Sequence, residues 1–170
     1  ERYGDSVETC HRLDMDTSGL MVFARDLGTK VAMEAQFAGR DVVKRYRARL
    51  VAGTGPFRHA ARGTIALPLA LDYYDRPRQY VDYENGKLAI TEYEIAEVLP
   101  DGEIDVIFTP RTGRTHQLRV HSAHVKGLGR PIKGDRLYGD ATEGRLFLHA
   151  FYLEFTHPVT GERLVFSKQG

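Results

Sequence analysis

The chain has 170 residues, of which 42% are hydrophobic and 28% are charged, and its formal net charge is +1. This length and balance are typical of one globular domain and exclude a disordered chain, so we predict a single domain over residues 1–170. No stretch approaches the roughly 18 consecutive apolar residues of a membrane-spanning helix.

The cysteine content and the first residues of the chain both bear on the compartment in which the protein is expected. Residues 1–5 match neither a signal peptide nor a transit peptide. The single cysteine, Cys10, excludes an internal disulfide and fits a reducing compartment. We therefore predict a cytoplasmic protein.

Charge is distributed unevenly along the chain. Residues 25–49 hold seven Lys or Arg and three acids, and residues 111–136 hold seven and one, whereas residues 72–105 hold three and ten. Two basic blocks that meet in space would form a cationic face for a phosphate-rich partner. If the blocks stay apart, each is only a solvated edge of strands and helices. The charge distribution alone does not decide between these two arrangements.

The first half of the chain predicts short strands, one helix and one longer strand. Residues 11–20 are typical of a strand that breaks into a loop presenting Asp14, and residues 21–24 form a second strand. Residues 27–39 predict a helix with Val31, Ala35 and Ala38 on its core face and a glycine as its stop. In residues 44–51, Tyr46, Ala48 and Leu50 alternate with Arg45, Arg47 and Arg49, which predicts a half-buried strand with a basic face.

The second half is predicted to be mostly sheet. Turn signals separate strands, and one helix is predicted at residues 115–126. The sum is an α+β fold with a mixed, largely antiparallel sheet and few flanking helices. The predicted strands span residues 63–69, 79–83, 91–98, 103–108, 146–155 and 163–166.

Three distant segments concentrate the polar groups that catalysis needs, namely residues 11–19, 44–48 and 111–121. An aspartate in a turn often only stabilises the turn, so Asp14 alone is weak evidence. Arg119 strengthens the case for Asp14 as a catalytic residue, because a carboxylate that acts at neutral pH needs a cationic partner. His116, His121 and His124 lie on the predicted helix, but no carboxylate or cysteine among them completes a metal site, so we predict none.

These segments resemble the RluA-type family of pseudouridine synthases. His11-Arg12-Leu13-Asp14 followed by Thr17-Ser18-Gly19 is similar to the family's aspartate motif, residues 44–48 to its tyrosine motif and residues 112–121 to its arginine motif. Further similar segments, at residues 134–139, 145–150 and 157–161, extend the likeness over nearly the whole chain. Residues 71–95 most resemble the bacterial RluA subgroup, which modifies 23S ribosomal RNA and tRNA.

The resemblance implies an isomerase that converts uridine to pseudouridine without a cofactor. It implies that Asp14 is the catalytic carboxylate, that Arg119 is its ion-pair partner, and that Tyr46 stacks on the target base. Arg12 would fill the space that the flipped base leaves. We expect a monomer that needs no protein partner and binds an RNA stem-loop through Arg12, Arg45, Arg47, Arg111, Arg114, His116, Lys133 and Arg136.

Two other functions and one departure from the family remain open at this point. The basic blocks alone permit a non-catalytic RNA-binding protein, and the pair Asp14 and Asp16 permits a glycoside hydrolase. Family members carry a strand and an Asn-Lys-Pro-like segment some tens of residues before the aspartate motif, whereas thirteen residues precede Asp14 here. The resemblance therefore leads us to expect a catalytic domain without that N-terminal strand.

Overall fold

A mixed eight-stranded sheet forms the centre of the fold. The computed structural model describes residues 7–140 and 144–168, so the prediction for residues 1–5 lies outside the described residues. The helices are α1 (Leu27–Gly39) and α2 (Gln117–Ala123), and the strands are β1 (Glu8–Thr9), β2 (Ser18–Gly19), β3 (Phe23–Ala24), β4 (Val43–Leu50), β5 (Arg62–Leu71), β6 (Gln79–Val81), β7 (Lys87–Val98), β8 (Ile104–Pro110), β9 (Leu148–Thr156) and β10 (Arg163–Ser167).

The sheet is antiparallel along its main path and mixed at one position. Its strand order is β10-β9-β4-β8-β7-β5-β6, with antiparallel neighbours throughout, and β2 pairs with β9 in parallel. Strands β1 and β3 form a separate antiparallel pair. This architecture confirms the predicted α+β class with a largely antiparallel sheet.

Strand β4 lies inside the sheet and confirms the alternation read from the sequence. Ala48 and Leu50 are buried in the main core, which also contains Phe108 of β8 and Leu118 of α2. Arg49 points to the other face, where its guanidinium donates to the Asp105 carboxylate at 2.7 and 2.9 Å. Adjacent residues of a strand point to opposite faces, so one face of β4 belongs to the core and the other carries charge.

Helix α1 has the predicted bounds but buries a different face. Val31 is 58% exposed, and Ala35 and Ala38 are also exposed, so the predicted core face was wrong. Met33 is buried instead, and Phe37, one turn later, packs against the same core cluster. The larger side chains decide the orientation, because burying them removes more apolar surface from water than burying alanines.

Helix α2 is shorter than the predicted span of residues 115–126. His116 precedes it with a left-handed backbone (φ 53°), and His124 follows it in an extended conformation. The chain then turns back: the Leu128 N–H donates to the His121 carbonyl at 3.0 Å. A Cβ at Gly127 would overlap that same carbonyl, so the close approach requires glycine. Neither described helix is long and apolar enough to cross a membrane.

The loop that carries Asp14 is held between two short strand pairings. Strand β2 lies within the segment predicted as loop, and it pairs with β9 at His149 and Ala150. Gly19 has φ +126°, and a Cβ there would overlap the backbone of Ala150. Glycine therefore allows the aspartate loop to lie directly against the central sheet.

Candidate active site

A cavity of about 710 Å³ opens where the three polar segments meet. Asp14 lines it from the loop before β2, and Tyr46 lines it from β4. The third wall comes from residues 109–115 and the start of α2. Segments that lie far apart in the sequence thus converge on one site.

The charge around this cavity is almost entirely positive. Among the described residues that line it, Asp14 is the only carboxylate, and the cations are Arg12, Arg40, Lys44, Arg111 and Arg114. Parts of the two basic blocks therefore meet here, although Arg111 is itself paired with Glu92 at 2.8 Å. A cationic wall of this kind suits a polyanion, while the single acid is placed to act on it.

Asp14 itself is held by a tight turn. Its carbonyl oxygen accepts from the Thr17 N–H at 3.0 Å, and Asp16 within the turn adopts a left-handed conformation (φ 70°). Asp16 is exposed and does not line the cavity. The second carboxylate that a glycoside hydrolase would use is therefore not at this site.

Tyr46 is the aromatic side chain that faces Asp14 from the sheet. Burial, with a further contribution from the charge of Asp14, raises the pKa of Tyr46 to about 12. The phenol is therefore protonated at neutral pH. An apolar ring with a protonated hydroxyl in this position can both stack on a base and exchange a hydrogen bond with it.

The structure corrects the expected ion pair of Arg119. Its guanidinium donates two hydrogen bonds to Asp135, from Nε to Oδ2 at 2.7 Å and from Nη2 to Oδ1 at 2.6 Å. Arg119 is 5% exposed and Asp135 is fully buried. The planar guanidinium matches a carboxylate with this bidentate geometry, so Asp135, rather than Asp14, is its partner.

Arg119 nevertheless remains electrostatically coupled to Asp14. Burial alone would lower the pKa of Arg119, but its bonds to Asp135 and the charges of Asp135 and Asp14 outweigh that effect and hold the pKa above its usual value. Arg119 does not line the cavity. It provides a permanent positive charge behind the wall rather than a contact on its surface.

His116 and Tyr138 form a buried polar layer beside Arg119. The His116 Nδ1 lies 2.9 Å from the Tyr138 hydroxyl, and the Arg119 guanidinium lies 5.2 Å from the centre of the Tyr138 ring. His116 is 5% exposed, and burial is the main cause of its lowered pKa. The protein therefore encloses the His116 side chain, and the structure gives no support to the predicted RNA contact of this residue.

Four further cations predicted to bind RNA lie away from the cavity. Arg45 and Arg47 occupy the face of β4 opposite Tyr46, over the rings of Tyr152 and Phe151. Alternation along the strand separates them from Asp14. In contrast, Arg12, Arg111 and Arg114 line the cavity.

The other two of these four cations are Lys133 and Arg136. The Lys133 amino group donates to the Glu103 carboxylate at 2.7 Å, on the part of the surface where Arg49 also meets that residue. Arg136 is exposed but does not line the cavity. Neither Lys133 nor Arg136 therefore lies at the cavity, although both are close in sequence to Asp135, the partner of Arg119.

The sequence interpretation missed two cavity cations, Lys44 and Arg40. Lys44 precedes Tyr46 by two residues, so the alternation of β4 places both on one face, and this signal could have identified it. Burial lowers the pKa of Lys44, and its amino group lies 5.6 Å from the centre of the Phe37 ring. Arg40 follows α1 in a left-handed conformation, for which the sequence has no comparable signal.

His11 supports the aspartate loop. Its Nε2 accepts from the Val22 N–H at 3.0 Å, and its ring packs on Phe37 at 4.7 Å between centroids. Burial and the charge of Lys44 lower its pKa to about 4. His11 is therefore neutral at pH 7, as its role as a hydrogen-bond acceptor requires.

Known proteins match this chain over nearly its whole length. A model of the RNA pseudouridylate synthase family matches residues 1–124. The dual-specificity RNA pseudouridine synthase RluA of Escherichia coli strain K12 is 44% identical over 163 residues, covering 94% of this chain and 71% of the relative. That of Haemophilus ducreyi is 42% identical over 173 residues, covering 99% and 76%.

Solved structures agree with these sequence matches. Human RNA pseudouridylate synthase domain containing 1 matches with a TM-score of 0.81 and 29% identity, over 96% of this chain and 69% of that chain. Human RNA pseudouridylate synthase domain containing 4 matches with a TM-score of 0.75 and 28% identity, over 96% and 71%. The resemblance seen in the sequence motifs is confirmed, and the chain belongs to the RNA pseudouridylate synthase family of isomerases.

Proposed function

We propose that Asp14 is the catalytic carboxylate of this RNA pseudouridine synthase and that its substrates are uridines in stem-loops of 23S ribosomal RNA, tRNA or both. One observation carries the assignment: Asp14 is the single carboxylate among the described residues that line the cavity, and five of the other lining residues are Lys or Arg. The enzyme acts as a cytoplasmic monomer with one catalytic domain.

The reaction is balanced within the uridine itself. The bond between the ribose C1′ and the base N1 breaks, the base rotates, and a bond forms between C1′ and C5. The proton on C5 leaves, and N1 gains one, so no cofactor is consumed. Asp14 acts either by forming an ester at C1′ or by removing the C2′ proton to give a glycal, and both routes require it to be ionised.

Tyr46 and Arg119 support Asp14 in different ways. Tyr46 lines the cavity with its phenol protonated, so it can stack on the detached base and relay a proton at C5. Arg119 acts from behind the wall, as a fixed positive charge that interacts electrostatically with Asp14. The bidentate bond to Asp135 prevents Arg119 from moving away.

The target uridine must leave its stack before Asp14 can reach the sugar. Extrusion of a base costs a few kcal/mol, least for an unpaired loop nucleotide. Arg12 is exposed beside Asp14 and fills the vacated space. Arg40, Lys44 and Arg114 hold the flanking phosphates, which positions the RNA without specifying its sequence.

The test compares Asp14→Asn with Asp16→Asn. Both variants remove one carboxylate from the same loop with little change of shape, but only Asp14 lines the cavity. Pseudouridine is mapped in total RNA incubated with each purified protein, and RNA binding is measured in parallel. We expect Asp14→Asn to form no pseudouridine while its RNA affinity stays within about threefold, and Asp16→Asn to retain activity.

Two outcomes would contradict this proposal. Pseudouridine formation by Asp14→Asn would remove Asp14 from the mechanism. Release of free uracil from labelled RNA by the unmodified protein would indicate a hydrolase, because an isomerase returns the base to the same sugar.

A further inference from the structure

The loop between β5 and β6, residues 72–78, exposes two aromatic side chains at one edge of the sheet. Tyr74 is 100% exposed and Tyr73 is 74% exposed. Neither ring contributes to the described core clusters. Two adjacent tyrosines that give most of their surface to water contribute little to folding, so both rings are available to a ligand.

The loop is ordered before any partner arrives. The Asp72 carboxylate accepts from the Tyr74 N–H at 3.0 Å and from the Asp75 N–H at 3.1 Å. The Asp75 carboxylate in turn accepts from the Arg78 Nε at 2.6 Å. A loop that its own hydrogen bonds hold in one shape loses little conformational entropy on binding, which favours affinity.

Arg76 adds a cation to this aromatic surface. Its guanidinium lies 4.1 Å from the centre of the Tyr73 ring. Within the described residues Arg76 forms no ion pair with a carboxylate, whereas Arg78 in the same loop is paired with Asp75. The outer surface of the loop therefore combines ring faces with an available positive charge.

The loop is attached to the polar layer beside the active-site cavity. The Gln79 N–H donates to the Tyr138 hydroxyl at 2.7 Å, and the Arg78 guanidinium donates to the Leu137 carbonyl. The same Tyr138 hydroxyl meets His116, which directly follows the cavity-lining residues 111–115. One hydrogen-bonded layer thus connects the loop to the wall of the cavity.

We propose that the β5–β6 loop is a second RNA contact, in which an unpaired base stacks on Tyr74 and Arg76 binds a neighbouring phosphate. The inference rests on the proposed function, because it extends the RNA path from the catalytic cavity. Aromatic faces with an arginine suit unpaired nucleotides, since every base offers a ring face and each linkage carries one negative charge. A fully paired stem hides its ring faces and gains only the charge contact.

Tyr74→Ala and Tyr74→Phe test the stacking contact. The probes are a fluorescein-labelled RNA hairpin with a uridine-containing loop and the same stem as a blunt duplex. We expect Tyr74→Ala to bind the hairpin about tenfold more weakly, Tyr74→Phe to bind it like the unmodified protein, and both to bind the duplex unchanged. In pseudouridine formation, Tyr74→Ala should raise KM and leave kcat unchanged.

The outcomes separate this inference from the proposed function. If the unmodified protein forms no pseudouridine but Tyr74→Ala still loses hairpin affinity, the proposed function fails and the loop contact stands. If pseudouridine forms and Tyr74→Ala binds the hairpin normally, the loop contact is overturned. It is also overturned if the unmodified protein forms dimers that Tyr74→Ala abolishes, because the tyrosines would then serve contact between copies of this chain.

Discussion

Asp135→Asn is the substitution that most directly tests how Arg119 is held. Asparagine keeps an oxygen that can accept from the Leu137 and Tyr138 N–H groups, as the Oδ1 of Asp135 does. It removes the negative charge that faces Arg119. The change therefore isolates the ion pair from the local turn that surrounds it.

The structure sets the expected size of the effect. Both side chains of the Arg119–Asp135 pair are almost fully buried, at 6% and 0% exposure. Breaking a buried pair by removing one partner costs about 3–5 kcal/mol, because the remaining charge stays buried without compensation. For a domain of this size that loss corresponds to a fall in Tm of about 6–20 °C.

The assay is urea and thermal unfolding, with Glu94→Gln as the matched control. The Arg62–Glu94 pair has the same N–O distance, 2.6 Å, but its side chains are 76% and 46% exposed. Exposed pairs contribute about 0–1 kcal/mol, so the control should change stability little. Adding Arg119→Met to Asp135→Asn should restore part of the loss, since it removes the uncompensated charge.

Equal and small effects of Asp135→Asn and Glu94→Gln would refute the reasoning. So would strictly additive losses in the double variant, because residues that form a buried pair must show an interaction energy. A further readout separates structure from chemistry. At a temperature where Asp135→Asn remains folded, we expect kcat for pseudouridine formation to fall, because Arg119 is no longer fixed behind Asp14.

Three further predictions concern the cavity and the loop that carries Asp14. The pKa of His11 is about 4 in the folded chain, against an ordinary value of 6.5. As the pH falls, the unfolded chain therefore binds a proton at His11 before the folded chain does. The free energy of unfolding should fall between about pH 6.5 and 4, by up to about 1.4 kcal/mol per pH unit. His11→Gln, whose amide oxygen can still accept from Val22, should flatten that dependence in urea unfolding; an unchanged slope would contradict the assignment. Lys44→Met should weaken RNA binding and lower the salt slope by about 0.7–0.9, while Lys44→Arg should not; equal slopes would exclude Lys44 as a phosphate contact. Gly19→Ala should lower Tm and activity together, because a Cβ would overlap Ala150, and a variant as stable as the parent would show that this approach is not required.

The periodicity of apolar residues was sufficient to predict the buried face of a strand such as β4. The alternation in β4 correctly assigned Ala48 and Leu50 to the core. It failed for α1, where the spacing of Val31 and the alanines suggested one face and Met33 defined another. Small side chains tolerate either environment, so only the larger ones, packed against a partner that the sequence does not reveal, decide which face is buried.

The sequence by itself determined the family, the aspartate motif and the types of residue that meet at the cavity. It could do so because short motifs, which are recognisable without the fold, contain these residues. The tertiary structure alone decided which charges pair. Arg119 meets Asp135 rather than Asp14, and Arg45 points away from the cavity that Tyr46 lines. The energy of an ion pair depends on distance and burial, and both are set by the packing of segments that lie far apart along the chain.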